Sequence, residues 1–257
     1  MIDIQNLRVF RQIYIKKVGV KNIKYPILVL DRARCTQPVN ATINMYVNLP
    51  HHFKGTHMSR FVEVLDRHAS EVSYQTLGEI LGEIRRTLNA EESHIEVAFP
   101  YFVRRRAPVS GLEATMSYDC TISATLAGSL EIAARVEVPV HTLCPCSREI
   151  SSVSAHNQRG LVAMTVGMTR FVWIEDLIGI AEESGSSPLY ALMKREDEKF
   201  VTEQAYANPR FVEDVVREVA LRLDRLTGLR WYSVEVENFE SIHNHSAYAM
   251  ITRRKDG

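Results

Sequence analysis

The stretch "ATMSYDCTISATLAGSLEIAARVEV", Ala114 to Val138, decides the fold. Its apolar residues recur at every second position. Met116, Tyr118, Cys120, Ile122, Ala124 and Leu126 come first, and Leu130, Ile132, Ala134, Val136 and Val138 follow after Ala127-Gly128. A period of two marks strands with one buried face, and the Ala-Gly step joins two long strands at a turn.

Toward the N-terminus, "HIEVAFPYFV" (His94–Val103) reads as a further strand. Before it, "SYQTLGEILGEIRRTLN" places Leu77, Ile80, Leu81, Ile84 and Leu88 at helical spacing, with Thr76 and Glu79 set for a capping box. "HMSRFVEVLDRHAS" predicts another helix through Phe61, Val62 and Leu65, and "NATINMYVNL" alternates as a half-buried strand through Ile43, Met45, Val47 and Leu49. Toward the C-terminus the order recurs. "LVAMTVGMTRF" alternates through Val162, Met164, Val166 and Met168, and "IEDLIGIAEES" is helical. "NPRFVEDVVREVALRLDRL" is a stronger helix, with Asn208 as N-cap and Pro209 at the first helical position. "WYSVEVENF" and "HSAYAMITRR" close as strands. Strand, helices, then strands, twice over, predicts an α+β chain of two similar antiparallel sheets with helices on one face. No low-complexity linker divides it, so residues 1–257 are expected as one catalytic-sized unit with halves at about 1–140 and 141–257.

Of the 257 residues, 46% are hydrophobic and 24% charged, the balance of an ordinary globular protein. Lys+Arg and Asp+Glu both number 31, so no global field draws nucleic acid or an anionic membrane, and neither is expected as a partner. The charged N-terminal segment lacks the apolar core of a signal peptide, and "YPILVL" (Tyr25–Leu30) is far too short to span a bilayer. A cytoplasmic setting with reduced thiols is therefore expected.

Chemistry concentrates in "HTLCPCSREISSVSAHNQRG", His141 to Gly160. Two of the four cysteines, Cys144 and Cys146, flank Pro145, and His156 follows in the same stretch. A redox pair, a metal site, a nucleophile, or a buried cysteine with a surface histidine all fit that composition. A Cys144–Cys146 disulfide would be strained across one proline. In an extended segment the two thiols point to opposite sides and cannot easily share an ion. The metal reading is therefore one cysteine, His156 and a carboxylate from elsewhere, the mixed set of a catalytic site.

"VGVKNIKYPI", "KGTHMSRFVEVL", "PVHTLCPCSREIS", "AHNQRG", "NPRFVEDVVREVA" and "FESIHNHSAYA" together resemble the type IB GTP cyclohydrolases, from about Asp3 to Ile251. The resemblance implies a tunnelling fold (T-fold) with two modules per chain, and a homotetramer with active sites at subunit boundaries. It implies conversion of GTP and water to formate and 7,8-dihydroneopterin 3′-triphosphate, the first step of tetrahydrofolate biosynthesis. One divalent metal (Zn, Mn or Fe) per site is implied, and no redox cofactor. The family's metal ligands fall on Cys144, His156 and Glu198, and its guanine-anchoring glutamate falls on Glu213.

Read alone, Glu198 in "KREDEKF" belongs to a solvated charge run, with Glu196, Asp197 and Glu203 as nearby substitutes. Glu213 would otherwise form a surface pair with Arg217. His243 and His245 form a His-x-His that a strand would project from one face; acid–base or substrate-contact roles are expected, with Glu149 and Glu240 as weaker pocket carboxylates. Local cations for a triphosphate are Lys54, Arg60 and Arg104 in its Arg-Arg-Arg run, with His57 nearby. No P-loop is present. The rival readings are an archaeal-type variant giving a cyclic phosphate, a nitrile reductase whose Glu-Ser-Lys-Ser-type segment is missing, and a non-catalytic metal-stabilised binding module.

Overall fold

The computed structural model of the chain describes residues 13–51, 53–68 and 76–255. The charged N-terminal segment to residue 12, the end of the helix expected through Ser70, and the start of the next at Ser73 lie outside the described residues. Among the described residues the elements are β1 (Ile15–Asp31), β2 (Cys35–Leu49), α1 (Met58–Arg67), α2 (Leu77–Leu88), β3 (Ser93–Arg106), β4 (Glu113–Ala127) and β5 (Ser129–Leu143). Then come α3 (Pro145–Ile150), β6 (Asn157–Met168), α4 (Ile174–Glu182), α5 (Arg195–Ala207), α6 (Val212–Arg225), β7 (Leu229–Asn238) and β8 (Ala247–Arg254). The strands, expected as two antiparallel sheets, form one eight-stranded sheet in chain order, β1 to β8. Residues 1–100 with 121–133 cluster as one unit, and residues 101–120 with 134–257 as another.

The expected pair is β4 and β5, and it turns at Gly128, whose φ of +84° an L side chain adopts only with strain. Along both strands Tyr118, Cys120 and Ala124, then Ile132, Ala134, Val136 and Val138, are buried as the alternation predicts, whereas Leu130, beside the turn, is exposed.

In the first unit, β2 pairs antiparallel with β1 (Ile27 opposite Val39) and with β3 (Ile43 opposite Val97, Met45 opposite Ile95). Strand β1 was legible only as an apolar run, because "ILVL" hides its own period. Ile27 and Val29 are buried, whereas Leu28 and Leu30 are 40% and 39% exposed. Helix α1 buries Phe61, Val64 and Leu65. Val62, expected on that stripe, faces outward, because a 3.6-residue repeat starting at Phe61 selects Val64 instead. Helix α2 buries Leu77, Ile80, Leu81 and Ile84. The expected capping box does not form: Thr76 makes no side-chain cap, its backbone being already helical (φ −83°, ψ −19°).

In the second unit, β7 pairs antiparallel with β6 (Val162 opposite Val236, Met164 opposite Val234) and with β8. Helix α6 lays Val212, Val215, Val216, Val219, Ala220 and Leu223 inward, each valine or leucine contributing about 1.5–3 kcal/mol if fully buried. It starts at Val212, three residues later than expected. Asn208 is instead the C-cap of α5, and its Nδ2 donates to the Gly185 carbonyl (3.0 Å). Pro209 disfavours helical backbone at Asn208, so it separates two helices rather than starting one. The N–H of Phe211 donates to Asp214 (3.0 Å) at the true start.

Helix α5 was not expected, because its sequence reads as a charge run. It is organised by Asp197, which is fully buried and accepts from the N–H groups of Val109 (2.8 Å), Ser110 (2.9 Å) and Lys194 (2.8 Å) and from the Ser110 hydroxyl (2.6 Å). Burial alone would raise this carboxyl's pKa, but the Ser110 hydroxyl and the three N–H groups outweigh it and hold it well below the usual range. A second polar knot lies beneath α4. Buried Glu182 accepts from the Tyr118 hydroxyl (2.7 Å) and from Arg105 (2.5 Å), and burial with the Glu182 charge pushes the Tyr118 phenol far up. No helix among the described residues is long and apolar enough to cross a membrane.

Tyr118→Phe leaves one Glu182 oxygen buried without a donor and is expected to lower stability by about 1–3 kcal/mol in urea titration. Asp197→Asn is expected to destabilise the chain at neutral pH and to flatten the acid limb of its stability curve. The sign follows from the depressed pKa: the wild-type contribution is complete above the ordinary aspartate value of about 3.9 and is lost as pH falls below it. Thermal unfolding of both proteins between acid and neutral pH measures this difference.

Candidate functional site

Strand β5 delivers Cys144 to the N-cap of α3, with Pro145 at the first helical position, where its missing N–H is no loss. The segment is not extended through both cysteines: it turns into helix at Cys144. The Cys144 Sγ accepts from the Ser147 N–H (3.5 Å), while Cys146 is exposed on the helix. The chain then returns to β6. The His156 N–H donates to the Ser147 hydroxyl (3.0 Å), and the Cys144 N–H donates to the His156 carbonyl (3.1 Å). Cysteine and histidine are thereby held side by side by their own backbones.

The His156 side chain is 13% exposed. Its Nδ1 lies 3.0 Å from Gln158 Oε1, and Gln158 Nε2 donates to the Thr142 hydroxyl (3.1 Å). Gln158 and Thr142 are both buried. Glu240 Oε2 stands 3.8 Å from the same Nδ1. It is brought there by the bond from Phe239 N–H to the Arg159 carbonyl (3.0 Å), which carries the β6–β7 pairing one step past Asn238. Gly160 faces Asn238 in that pairing, and a Cβ there would meet the buried Asn238 Oδ1 at 2.7 Å, which accounts for the glycine of "HNQRG".

His243 and His245 belong to the loop between β7 and β8 rather than to a strand. Both are exposed, and their rings stack with centroids 5.1 Å apart. This loop begins at Phe239, so Glu240, whose carboxylate stands beside His156, shares one short segment with both imidazoles. Arg210, whose N–H donates to the Leu143 carbonyl (3.0 Å), has a buried Nε without a hydrogen-bond partner among the described residues.

The remaining candidates are placed separately. Glu198 is exposed in the first turn of α5. Among the described residues no three His, Cys, Asp or Glu side chains close on a common ion position, so within one chain Glu198 does not join Cys144 and His156. Asp197 is no substitute for it, since its oxygens are taken by four donors. Glu213 is exposed in the first turn of α6, and Arg217, its expected partner, turns to Asp214 instead (3.9 Å). Glu149 is exposed at the end of α3.

The arginine run is matched within the chain. Arg104 (3.2 Å) and Arg106 (2.7 Å) pair with Glu113, and Arg105 pairs with Glu182. Lys54 and Arg60 lie in the first unit. Lys54 is exposed, and Arg60 donates to the Thr87 carbonyl (2.9 Å) and lines, with Thr56 and His57, a cavity of about 250 Å³. Gln158, Thr142, Ser147 and Arg210 had not been singled out. For Gln158 a signal existed: residues two apart at a strand edge share a face, so the residue after next to His156 is its natural neighbour.

A cysteine and a histidine paired through their backbones, with a carboxylate adjoining the imidazole, suit acid–base chemistry or a soft divalent ion. The family model for type I GTP cyclohydrolase FolE2 matches residues 1–249. A GTP cyclohydrolase FolE2 of Syntrophus aciditrophicus (strain SB) is 57% identical over 254 residues, covering 98% of this chain and 100% of the relative. One from Geobacter sp. (strain M21) is 55% identical over 254 residues, covering 99% and 95%. In solved structures, uricase from Arthrobacter globiformis superposes with a TM-score of 0.54 at 7% identity, covering 94% of each chain, a likeness of fold alone. Carrying the Cys-Pro-Cys loop closed on His156 and matched along nearly its whole length, the chain belongs to the FolE2 family of GTP cyclohydrolases.

Proposed function

We propose that this chain is a type IB, metal-dependent GTP cyclohydrolase that converts GTP and water to formate and 7,8-dihydroneopterin 3′-triphosphate, opening tetrahydrofolate biosynthesis. The observation that carries this reading is the backbone pairing of Cys144 with His156, in a chain 57% identical to a GTP cyclohydrolase. We further infer two T-fold modules per chain, in keeping with the repeated strand–helix–strand order, and, by resemblance, a homotetramer.

The donor set fits a divalent ion such as zinc, manganese or iron. Cys144 offers sulfur, and His156 offers a nitrogen, since its other nitrogen faces Gln158 and Glu240. Glu198, exposed on α5, is the third donor by resemblance. Such an ion supplies Lewis acidity at neutral pH. The chain's own groups do the rest. Glu213 accepts hydrogen bonds from the guanine N1–H and exocyclic amine, a charged pairing that fixes the base. Ring opening at C8, release of formate and reclosure as a pterin each move protons, and His243 and His245 suit this because imidazole gains and loses protons near neutral pH. Glu240 and Glu149 are the carboxylates nearest this work in sequence. Lys54, Arg60 and Arg104 remain candidates for the triphosphate. Arg210, beside the cysteine loop, joins them. The carbon skeleton is hydrolysed and rearranged without net oxidation, so no redox cofactor takes part.

Cys144→Ala is expected to fold normally by circular dichroism and to release formate from GTP at least about a hundredfold more slowly, the ion's contribution to the barrier being several kcal/mol. Appreciable turnover by that variant overturns the assignment. Chelation is expected to abolish activity reversibly while leaving most of the fold intact; unfolding on chelation would favour a metal-stabilised binding module. Glu213→Ala is expected to raise KM for GTP about 10- to 100-fold, the loss of a charged hydrogen bond worth about 1.5–3 kcal/mol. Pyrophosphate appearing alongside formate would point to the cyclic-phosphate product.

A further inference from the structure

We propose that Gln158, braced by Thr142, is a positioning residue that holds the His156 imidazole with its proton on Nδ1 and so presents an unprotonated Nε2 to a divalent cation. This rests on the metal-dependent reading above and names a group that the ligand set does not include.

The argument is one of hydrogen-bond polarity. A neutral imidazole carries its proton on one nitrogen only, and the partner of that nitrogen decides which. Nδ1 of His156 faces two acceptors. Gln158 Oε1 lies at hydrogen-bond distance, 3.0 Å, and Glu240 Oε2 lies behind it at 3.8 Å. A lone pair on Nδ1 would oppose both oxygens; a proton there satisfies the first directly and is attracted to the second. The sense of the Gln158 amide follows from Glu240: a hydroxyl such as that of Thr142 can meet either end of an amide, but a carboxylate accepts only and so favours a proton on Nδ1. With a proton on Nδ1, Oε1 accepts it and Nε2 donates to the Thr142 hydroxyl at 3.1 Å, a pair shielded from bulk solvent, Gln158 and Thr142 being 7% and 0% exposed. Flipping the amide would turn an N–H toward Nδ1 and take the acceptor away from the carboxylate's side. The proton therefore stays on Nδ1, and Nε2 keeps its lone pair. Backbone bonds then hold His156 beside the cysteine: His156 N–H to the Ser147 hydroxyl, and Cys144 N–H to the His156 carbonyl. Partners that orient a ligating imidazole in this way typically govern 10- to 100-fold in metal affinity.

Two measurements test the assignment. The first needs no metal. With nitrogen-15 histidine in the metal-free protein, and His156 identified by its loss in His156→Gln, the ring nitrogens report the tautomer directly. Wild type is expected as the single Nδ1–H form, and so is Gln158→Glu, which keeps the acceptor. Gln158→Leu is expected to lose that preference, and Thr142→Val, nearly isosteric and less able to disturb folding, is expected to weaken it. A wild-type Nε2–H form, or an Nδ1–H form undiminished in both Gln158→Leu and Thr142→Val, overturns the proposal; the latter would give the role to Glu240. The second measurement is cobalt(II) affinity by chelator competition. Gln158→Leu is expected to bind about 10- to 100-fold more weakly and Gln158→Glu within about threefold of wild type. Equal affinities of wild type and Gln158→Leu overturn it. If wild type takes up no cobalt(II) or zinc(II), it is the metal-dependent reading that fails, and the tautomer measurement still decides what Gln158 does.

Discussion

The hydrogen bond from the Cys144 N–H to the His156 carbonyl is the constraint on which the site depends. Without it, α3 and the strand-free residues after it form a surface loop whose ends are free to part, and the entropy of ordering such a segment opposes any fixed geometry. Three local bonds remove that freedom: the thiol caps α3 through Ser147, the Ser147 hydroxyl takes the His156 N–H, and the backbone bond closes the ring. Each is worth only about 0.5–1.5 kcal/mol net, yet they act on adjacent residues and so position one another. β5 enters this loop and β6 leaves it, so rigid strands flank the chemistry on both sides.

Charge in this chain is spent on architecture more often than its composition suggests. The arginine triplet is matched by Glu113 and Glu182, and Asp197 is absorbed by four donors that tie the turn after β3 to α5. Asp197 and Glu198 show how sharply one residue step on a helix divides these fates. The first is wholly buried and structural; the second is exposed and available. A helix turns by about 100° per residue, so neighbours in a charge run rarely share an environment.

Most of the fold was legible in period alone. β2, β4, β5 and β6 were read from alternation, because the two faces of each differ in burial, and β3, β7 and β8 were read as strands beside them. Where that contrast fails, the reading fails too. β1 hides its register inside a continuous apolar run, and α5 carries too few apolar residues to show a stripe, being held at its start by one buried carboxylate. The start of α6 was misjudged because proline serves equally to open one helix and to close another, and only the observed backbone distinguishes them.

The amino-acid sequence by itself determined the class of fold, the family, and the two residues, Cys144 and His156, on which the candidate site is proposed, because periodicity and a dense motif are local properties of the chain. Tertiary structure alone decided which neighbours those side chains meet. That Gln158 and Glu240 face His156, that Asp197 is consumed in holding α5, and that His243 and His245 stack in a loop all depend on contacts between distant segments. Such contacts follow from how strands register and where loops close, and no residue carries a local signature of the partner that packing will bring to it.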